Sequence, residues 1–307
     1  MEIYIIMNAI LYSLYLKENS TKEHYSFLHY SLSTLYRFIS DRPSFEVIVF
    51  ICIEEENFSI ATYKHLDRFN LLHDFPQVKF VVDGYYKKYK DSKDPYMAKW
   101  YHIERGFQRG YEKILFLDCD TMFFKDPNYF FEKYSSKYAW VIYEAMAPHT
   151  QKVLKTRGIN SGQILLHKSM FDKFEDFFEN LLKTREEINN VAKNMEKEGL
   201  LTSKELSAFC FFSEQYGPQV ALLKKGVLLK ELDYEDIMYG DPYNNIYNVF
   251  RNFENDTVDV IRIKNEINGI LHYTSGAGHT ILPFKYHTTF LQERYQRWLD
   301  TGQKRMP

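Results

Sequence analysis

The stretch YEKILFLDCDTMFFKDP, residues 111–127, carries the clearest structural pattern in the sequence. Its apolar run ILFL, residues 114–117, is typical of a central strand that is buried on both faces of a sheet. Asp118 and Asp120 follow where this strand leaves the core. Ligands of open α/β sheets bind at the carboxyl ends of strands, and carboxylates together with phosphates are usual ligands of Mg²⁺ or Mn²⁺. The stretch therefore predicts a divalent-metal site facing a phosphorylated substrate; the simpler alternative is one aspartate that caps a turn and one that faces solvent.

Strands and helices alternate in the chain before this stretch. The predicted elements are a strand at 3–9, a helix at 20–40 that opens with the capping box STKE, a strand at 45–53, a helix at 58–69, a strand at 78–82 and a helix at 96–109 that ends before Gly110. This alternation predicts an α/β fold with a mostly parallel, doubly wound sheet.

In the second half of the chain, strands and helices alternate less regularly. The predicted elements are a strand at 138–143, a polar functional loop at 144–159, a strand at 163–167, a helix at 169–187, a charged helix or linker at 189–204, a helix from about 214 to 223, a strand at 270–273 and a C-terminal helix at 286–299. We see no repeat and no Pro/Ser-rich linker, so we expect one domain over residues 1–307.

The composition is that of an ordinary globular protein, with 45% hydrophobic and 26% charged residues. The net charge is −2 and no long run of lysine and arginine exists, so nucleic acid is not an expected partner. The three cysteines, Cys52, Cys119 and Cys210, lie far apart and suggest no disulfide framework. This pattern favours a reducing compartment, and we expect a cytoplasmic location.

The N-terminal segment MEIYIIMNAILYSLYL is apolar, but Glu2 and Asn8 interrupt it. A bilayer span needs about 20 apolar residues, and the segment has no basic region or cleavage site typical of a signal peptide. We interpret it as the first strand running into a tyrosine-rich loop, with no membrane span.

Three further groups of polar residues can carry chemistry. His272 ends an apolar run and precedes Gly276 and Gly278, whose backbone N–H groups can approach a ligand closely. The triplet NSG at 160–162 suits a polyhydroxylated ligand, although these are also ordinary turn residues. The pair EQ at 214–215 precedes a helix, where an acidic residue also complements the helix dipole.

The order of these motifs resembles the glycogenin-like family of nucleotide-sugar glycosyltransferases, which are retaining enzymes of the GT-A fold (glycosyltransferase family 8-like). The matching pieces cover most of the chain: Lys99 with Trp100, ILFLDCDT at 114–121, NSGQILL at 160–166, EQ at 214–215 and HYTSGAGH at 272–279.

The resemblance implies roles for these residues. Asp118, Asp120 and His272 would hold Mn²⁺ or Mg²⁺ against the diphosphate of a nucleotide-sugar, with a UDP-sugar as the expected donor. The other implied contacts are Lys99 and Asp118 near the donor sugar or ribose, Asn160, Ser161 and Gly162 on the sugar and acceptor side, Gly276, Gly278 and His279 at the phosphates, and Glu214, Gln215 and Asn160 near the reacting carbon. Residues 1–125 would bind the donor and residues 126–285 a glycan or glycoprotein acceptor, and residues 286–307 would form the C-terminal helix.

The sequence departs from the family pattern at two positions. Glu214 stands where the family has aspartate, which shifts a carboxylate by about one bond length. His279 stands near the position of a family lysine, for which Lys285 is a candidate substitute.

Two other functions fit the same residues. In a haloacid-dehalogenase-like phosphatase, Asp118 would be the nucleophile and Asp120 the acid/base, although that motif normally opens the chain. The departures at Glu214 and His279 would also suit a catalytically inactive sugar-binding scaffold.

Overall fold

A computed structural model describes residues 8–16, 22–36, 38–39, 44–53, 71–85, 95–123, 125–144, 147–233, 236–239 and 269–272. The strands are β1 (Asn8–Leu16), β2 (Phe45–Ile53), β3 (Lys79–Val82), β4 (Lys113–Leu117), β5 (Thr121–Phe123), β6 (Tyr138–Tyr143), β7 (Ile159–His167), β8 (Leu228–Glu231), β9 (Ile237–Tyr239) and β10 (Ile270–His272). The helices are α1 (Lys22–Tyr36), α2 (Leu71–Asp74), α3 (Ala98–Gln108), α4 (Pro127–Lys133), α5 (Pro148–Leu154), α6 (Lys168–Phe171), α7 (Phe177–Lys197), α8 (Ser203–Phe211) and α9 (Ser213–Lys224). The predicted helices at 58–69 and 286–299, and Gly276, Gly278, His279 and Lys285, lie outside the described residues.

The main sheet has seven strands in the order β3-β2-β1-β4-β7-β6-β8. Within it β7 runs antiparallel to its two neighbours, β4 and β6, and every other pairing is parallel. The chain order reverses between β1 and β4, so the crevice outside these two strand ends is a topological switch point, where ligands of open α/β sheets bind.

Helices cover both faces of this sheet. Helix α1 packs one face through Leu28, Leu32 and Leu35. Helices α3 and α7 pack the other face, where Trp100 and Phe178 are fully buried. The predicted mostly parallel, doubly wound α/β fold is therefore confirmed. In the part of the chain that the structure describes, no helix has the length and apolar character that crossing a bilayer requires.

A second sheet of three strands, in the order β5-β10-β9, lies next to the switch point. Strand β5 begins directly after Asp120, and β10 pairs with it in antiparallel register, with His272 opposite Thr121. This pairing brings His272 to the two aspartates although about 150 residues separate them in sequence.

The first strand differs from the prediction, because β1 spans Asn8–Leu16 and the tyrosine-rich segment is part of it. Tyr12 is fully buried, and its hydroxyl has a hydrogen-bond partner, Ser31 Oγ, at 2.8 Å. A buried tyrosine is stable when its hydroxyl is paired, so the polar tip of Tyr12 does not exclude a central strand.

Three other boundaries differ from the prediction. The expected loop at 144–159 contains helix α5, and the triplet NSG lies inside β7, so it is not a turn. The expected helix at 169–187 divides into α6 and α7. Of the two alternatives for 189–204, a charged helix or a linker, the helix is present up to Lys197 as the end of α7, but Ala192 is fully buried against Ile188 and Phe209 in a small apolar cluster.

Candidate active site

Asp118, Asp120 and His272 form one cluster at the carboxyl end of β4. The Nε2 atom of His272 lies 3.2 Å from Oδ1 of Asp120 and 4.0 Å from Oδ2 of Asp118. One ligand atom from each residue lies within 4.8 Å of the other two. Two carboxylates and one imidazole at this spacing are a donor set that suits a divalent cation such as Mn²⁺.

Strand β7 approaches this cluster closely at Gly162. A Cβ atom at this position would lie 2.3 Å from Cε1 of His272 and 2.7 Å from Oδ2 of Asp118. The backbone N–H of Asp118 donates to the carbonyl oxygen of Gly162 at 2.7 Å. The absence of a side chain at Gly162 thus makes room for His272 and Asp118. The cluster therefore fits the divalent ion that the family resemblance implies.

The two aspartates also set the charge of His272. Burial opposes protonation of this imidazole, but the negative charges of Asp120 and Asp118 outweigh burial and raise the pKa of His272 above its usual value. The cluster therefore attracts positive charge strongly.

Lys99 brings a cation to the same place from the first turn of α3. Its Nζ atom donates to Ser161 Oγ at 3.0 Å and lies 3.4 Å from Oδ1 of Asp118. Burial opposes protonation of Lys99, but the nearby charges of Asp118 and Glu214 outweigh it and raise the pKa of the ammonium. Lys99 therefore stays charged and can pair with a phosphate beside the cluster.

The triplet at 160–162 and Gln215 are joined by hydrogen bonds. The backbone N–H of Ser161 donates to Oε1 of Gln215 at 2.8 Å, and that of Gly162 donates to Oδ1 of Asn160 at 2.8 Å. The start of β7 and the first turn of α9 therefore form one wall of the site.

Glu144 is a site residue that the sequence reasoning missed. Its carboxylate accepts hydrogen bonds from Nε2 of Gln215 at 3.1 Å, from the hydroxyl of Tyr216 at 3.3 Å and from Nδ2 of Asn160 at 3.5 Å. The available signal was its position: Glu144 follows the predicted strand at 138–143, just as Asp118 follows its own strand.

A hydrogen bond from a side chain of helix α3 holds the backbone of Glu214 in position. Its backbone oxygen accepts a hydrogen bond from Nε1 of the buried Trp100 at 2.9 Å, and the residue is only 7% exposed. Its charge contributes to the raised pKa of Lys99. The Glu214 carboxylate therefore lies close enough to Lys99 to act on its charge.

No protein-family model and no curated protein sequence matches the chain significantly. Solved structures do match: the apo structure of WbbM, a bifunctional glycosyltransferase, superposes with a TM-score of 0.51 at 11% identity, over 89% of this chain and 47% of that one. The chain has the GT-A fold. It spans about half the length of WbbM. Mouse xyloside xylosyltransferase 1, also in its apo form, matches with a TM-score of 0.48 at 13% identity, over 88% of this chain and 98% of that one.

Proposed function

We propose that this protein is a metal-dependent glycosyltransferase that moves a sugar from a nucleotide-sugar, with a UDP-sugar as the donor, to a glycan or glycoprotein acceptor with retention. The observation that carries the proposal is the cluster of Asp118, Asp120 and His272 with Lys99 beside it at the switch point. A metal-type site and a fixed cation at the end of a central strand suit a diphosphate.

The wall formed by β7 and α9 beside the cluster supports a sugar as the transferred group. Asn160, Gln215 and Glu144 offer amide and carboxylate groups that hold one another in place. Such preorganised polar groups can bind sugar hydroxyls and the charge that develops on the reacting ring without reorganising during the reaction.

In the mechanism, Asp118, Asp120 and His272 would hold the ion, which as a Lewis acid neutralises charge on the leaving diphosphate. Lys99 binds the same phosphates and stays charged. Gln215 has its side-chain oxygen committed to the N–H of Ser161 and its amide N–H to Glu144, so it is fixed as a positioning group. The carboxylates of Glu144 and Glu214 are then the anionic groups that can stabilise a cationic sugar while the acceptor attacks from the same face.

A cytoplasmic location is part of the proposal. None of the three cysteines, Cys52, Cys119 and Cys210, is in a disulfide bond, which suits a reducing compartment.

The test is donor hydrolysis. The protein is incubated with a panel of nucleotide-sugars and either Mn²⁺ or EDTA, and free nucleoside diphosphate is measured. We expect metal-dependent release from one donor, lost in Asp120→Asn and retained in the matched surface variant Asp172→Asn, since the exposed side chain of Asp172 pairs with Lys168 at 2.9 Å.

Other outcomes would replace the proposal. Hydrolysis of a phosphomonoester without release from any nucleotide-sugar would favour the haloacid-dehalogenase-like phosphatase. Binding of a nucleotide-sugar with neither activity would favour the inactive scaffold.

A further inference from the structure

A buried chain of three polar residues lies beside the site. The Nε2 atom of His102, on α3, contacts Oδ2 of Asp83 at the end of β3, and its Nδ1 atom lies 2.6 Å from Oγ of Ser13 in β1. His102 is fully buried, and Phe50 stacks on its ring with centroids 4.9 Å apart at 12°. Burying an imidazole and a carboxylate is costly unless they are paired, so this arrangement is firmly held.

Ser13, the last member of this row of three residues, lies at the switch point. Tyr12 pairs with Leu117 across β1 and β4, so Ser13 lies one residue further along, beside Asp118, at about 4.8 Å between strands. Lys99 and His102 are three residues apart on α3 and share one helix face. This face therefore contacts Asp118 through Lys99, and Ser13 of the neighbouring strand β1 through His102.

The carboxylate fixes the direction of the hydrogen bonds. Oδ1 of Asp83 accepts the backbone N–H of Tyr85 at 2.8 Å, which holds the carboxylate in place. An ionised carboxylate can only accept, so a neutral imidazole carries its hydrogen on Nε2. Nδ1 then accepts the hydrogen of Ser13, so the oxygen of this partly exposed residue keeps only lone pairs for a further partner.

We propose that Ser13 is a specificity-determining contact for the nucleoside of the donor, and that Asp83 and His102 are positioning residues that make its hydroxyl an acceptor. The inference rests on the proposed function. The ligand group is a hydrogen-bond donor, which is either a ribose hydroxyl or an N–H of the base.

The test is calorimetric binding at about pH 8 in Mn²⁺. UDP is compared with 2′-deoxy-UDP and 3′-deoxy-UDP, which each lack one ribose donor, and with N3-methyl-UDP, which lacks the base donor. We expect Ser13→Ala to weaken UDP about tenfold and to leave unchanged the affinity of the one analogue that lacks the donor. That analogue identifies the group that Ser13 contacts.

A second variant tests the direction of the hydrogen bonds. In Asp83→Asn the new amide can donate to Nε2, which moves the imidazole hydrogen to Nδ1 and frees the Ser13 hydroxyl to donate. We expect this variant to lose the preference for UDP over that analogue. A merely structural role for Asp83 would weaken all nucleotides alike.

The matched control is a second buried chain, Asp74–His29–Ser33, on the other face of the sheet. We expect Ser33→Ala to bind every nucleotide as the wild type does. Ser13→Ala with wild-type affinity for the whole panel would overturn the inference and leave the proposed function standing. No binding of any nucleoside diphosphate by the wild type would overturn both.

Discussion

Two buried Asp–His–Ser chains lie on opposite faces of the same sheet. In the near-site chain, defined as Asp83, His102 and Ser13, the imidazole bridges two strands from helix α3. In the far-side chain, defined as Asp74, His29 and Ser33, Nε2 of His29 lies 2.8 Å from Asp74 and Nδ1 lies 3.3 Å from Ser33 Oγ.

The two chains differ in the location and the hydrogen-bond partners of the serine hydroxyl. Ser33 donates to the carbonyl oxygen of His29 at 2.7 Å, one turn back in its own helix. Ser13 lies in the central strand β1, one residue beyond its last pair with β4 and beside Asp118, and its hydroxyl has His102 as its partner within the described residues. Identical residue types therefore stabilise a helix contact in one place and shape the crevice of the site in the other.

Removing the two imidazoles should have the largest effect. We expect His102→Ala to lower the free energy of unfolding by about 3–5 kcal/mol, because it leaves a buried carboxylate unpaired. We expect His29→Ala to cost less, since the Asp74 side chain is 16% exposed against 6% for Asp83, and His73 lies 3.1 Å from Asp74. Urea denaturation measures both, and an equal or reversed order would contradict the comparison.

The next largest effect is expected from Glu144, and it concerns kcat. In Glu144→Gln an amide N–H replaces an acceptor oxygen that faces Gln215 or Tyr216, so the wall formed by β7 and α9 is disturbed. We expect kcat to fall roughly a hundredfold with nucleotide affinity unchanged. The matched control is Glu187→Gln on the surface, where the side chain pairs with Lys224 at 2.7 Å. Equal kcat values for the two variants would remove Glu144 from the site.

Gly162→Ala tests the close approach of β7 on the near-site side. The new Cβ must displace His272 or Asp118, and overpacking of this kind costs about 1–3 kcal/mol. We expect Mn²⁺ affinity to fall about tenfold or more. At Gly84 a Cβ would meet nothing within 4 Å, so Gly84→Ala should bind Mn²⁺ normally. Unchanged Mn²⁺ affinity in Gly162→Ala would argue against the cluster as a metal site.

The smallest expected effect is on the pH dependence of stability, through His29 of the far-side chain. Burial lowers the pKa of His29 below its usual value, despite the opposing hydrogen bond and charge of Asp74. The unfolded chain then binds more protons, so this contribution is present above about pH 6.5 and is lost as the pH falls below it. We expect His29→Gln to flatten the acid limb of a denaturation series. Part of the acid slope should remain in this variant, because burial also lowers the pKa of His167, to about 4.

The sequence predicted the sheet and the position of the aspartates because both depend on local patterns. An apolar run followed by Asp118 and Asp120 is visible within ten residues, and the apolar segment at 270–273 placed His272 on a strand. The contacts of Ser13 with His102 and of Glu144 with Gln215 depend on which strands become neighbours. They join residues 89 and 71 positions apart, and no local pattern indicates them.

The boundary errors have a similar cause. Residues 8–16 contain tyrosines and a serine, which resemble a loop until Ser31 is seen to pair with the Tyr12 hydroxyl. Asn160 and Ser161 are turn residues by propensity, and long-range pairing of β7 with β4 and β6 overrides that propensity.

Whether Asp118, Asp120 and His272 form a metal site is tested by Mn²⁺ binding, measured as the loss of the electron paramagnetic resonance signal of the free ion. We predict that the wild type with UDP removes one equivalent of free Mn²⁺, and that Asp120→Asn and His272→Gln leave most of the ion free. Asp172→Asn should behave as the wild type. If the wild type left the Mn²⁺ signal unchanged, or if Asp120→Asn bound the ion equally well, the cluster of Asp118, Asp120 and His272 would not be the metal site.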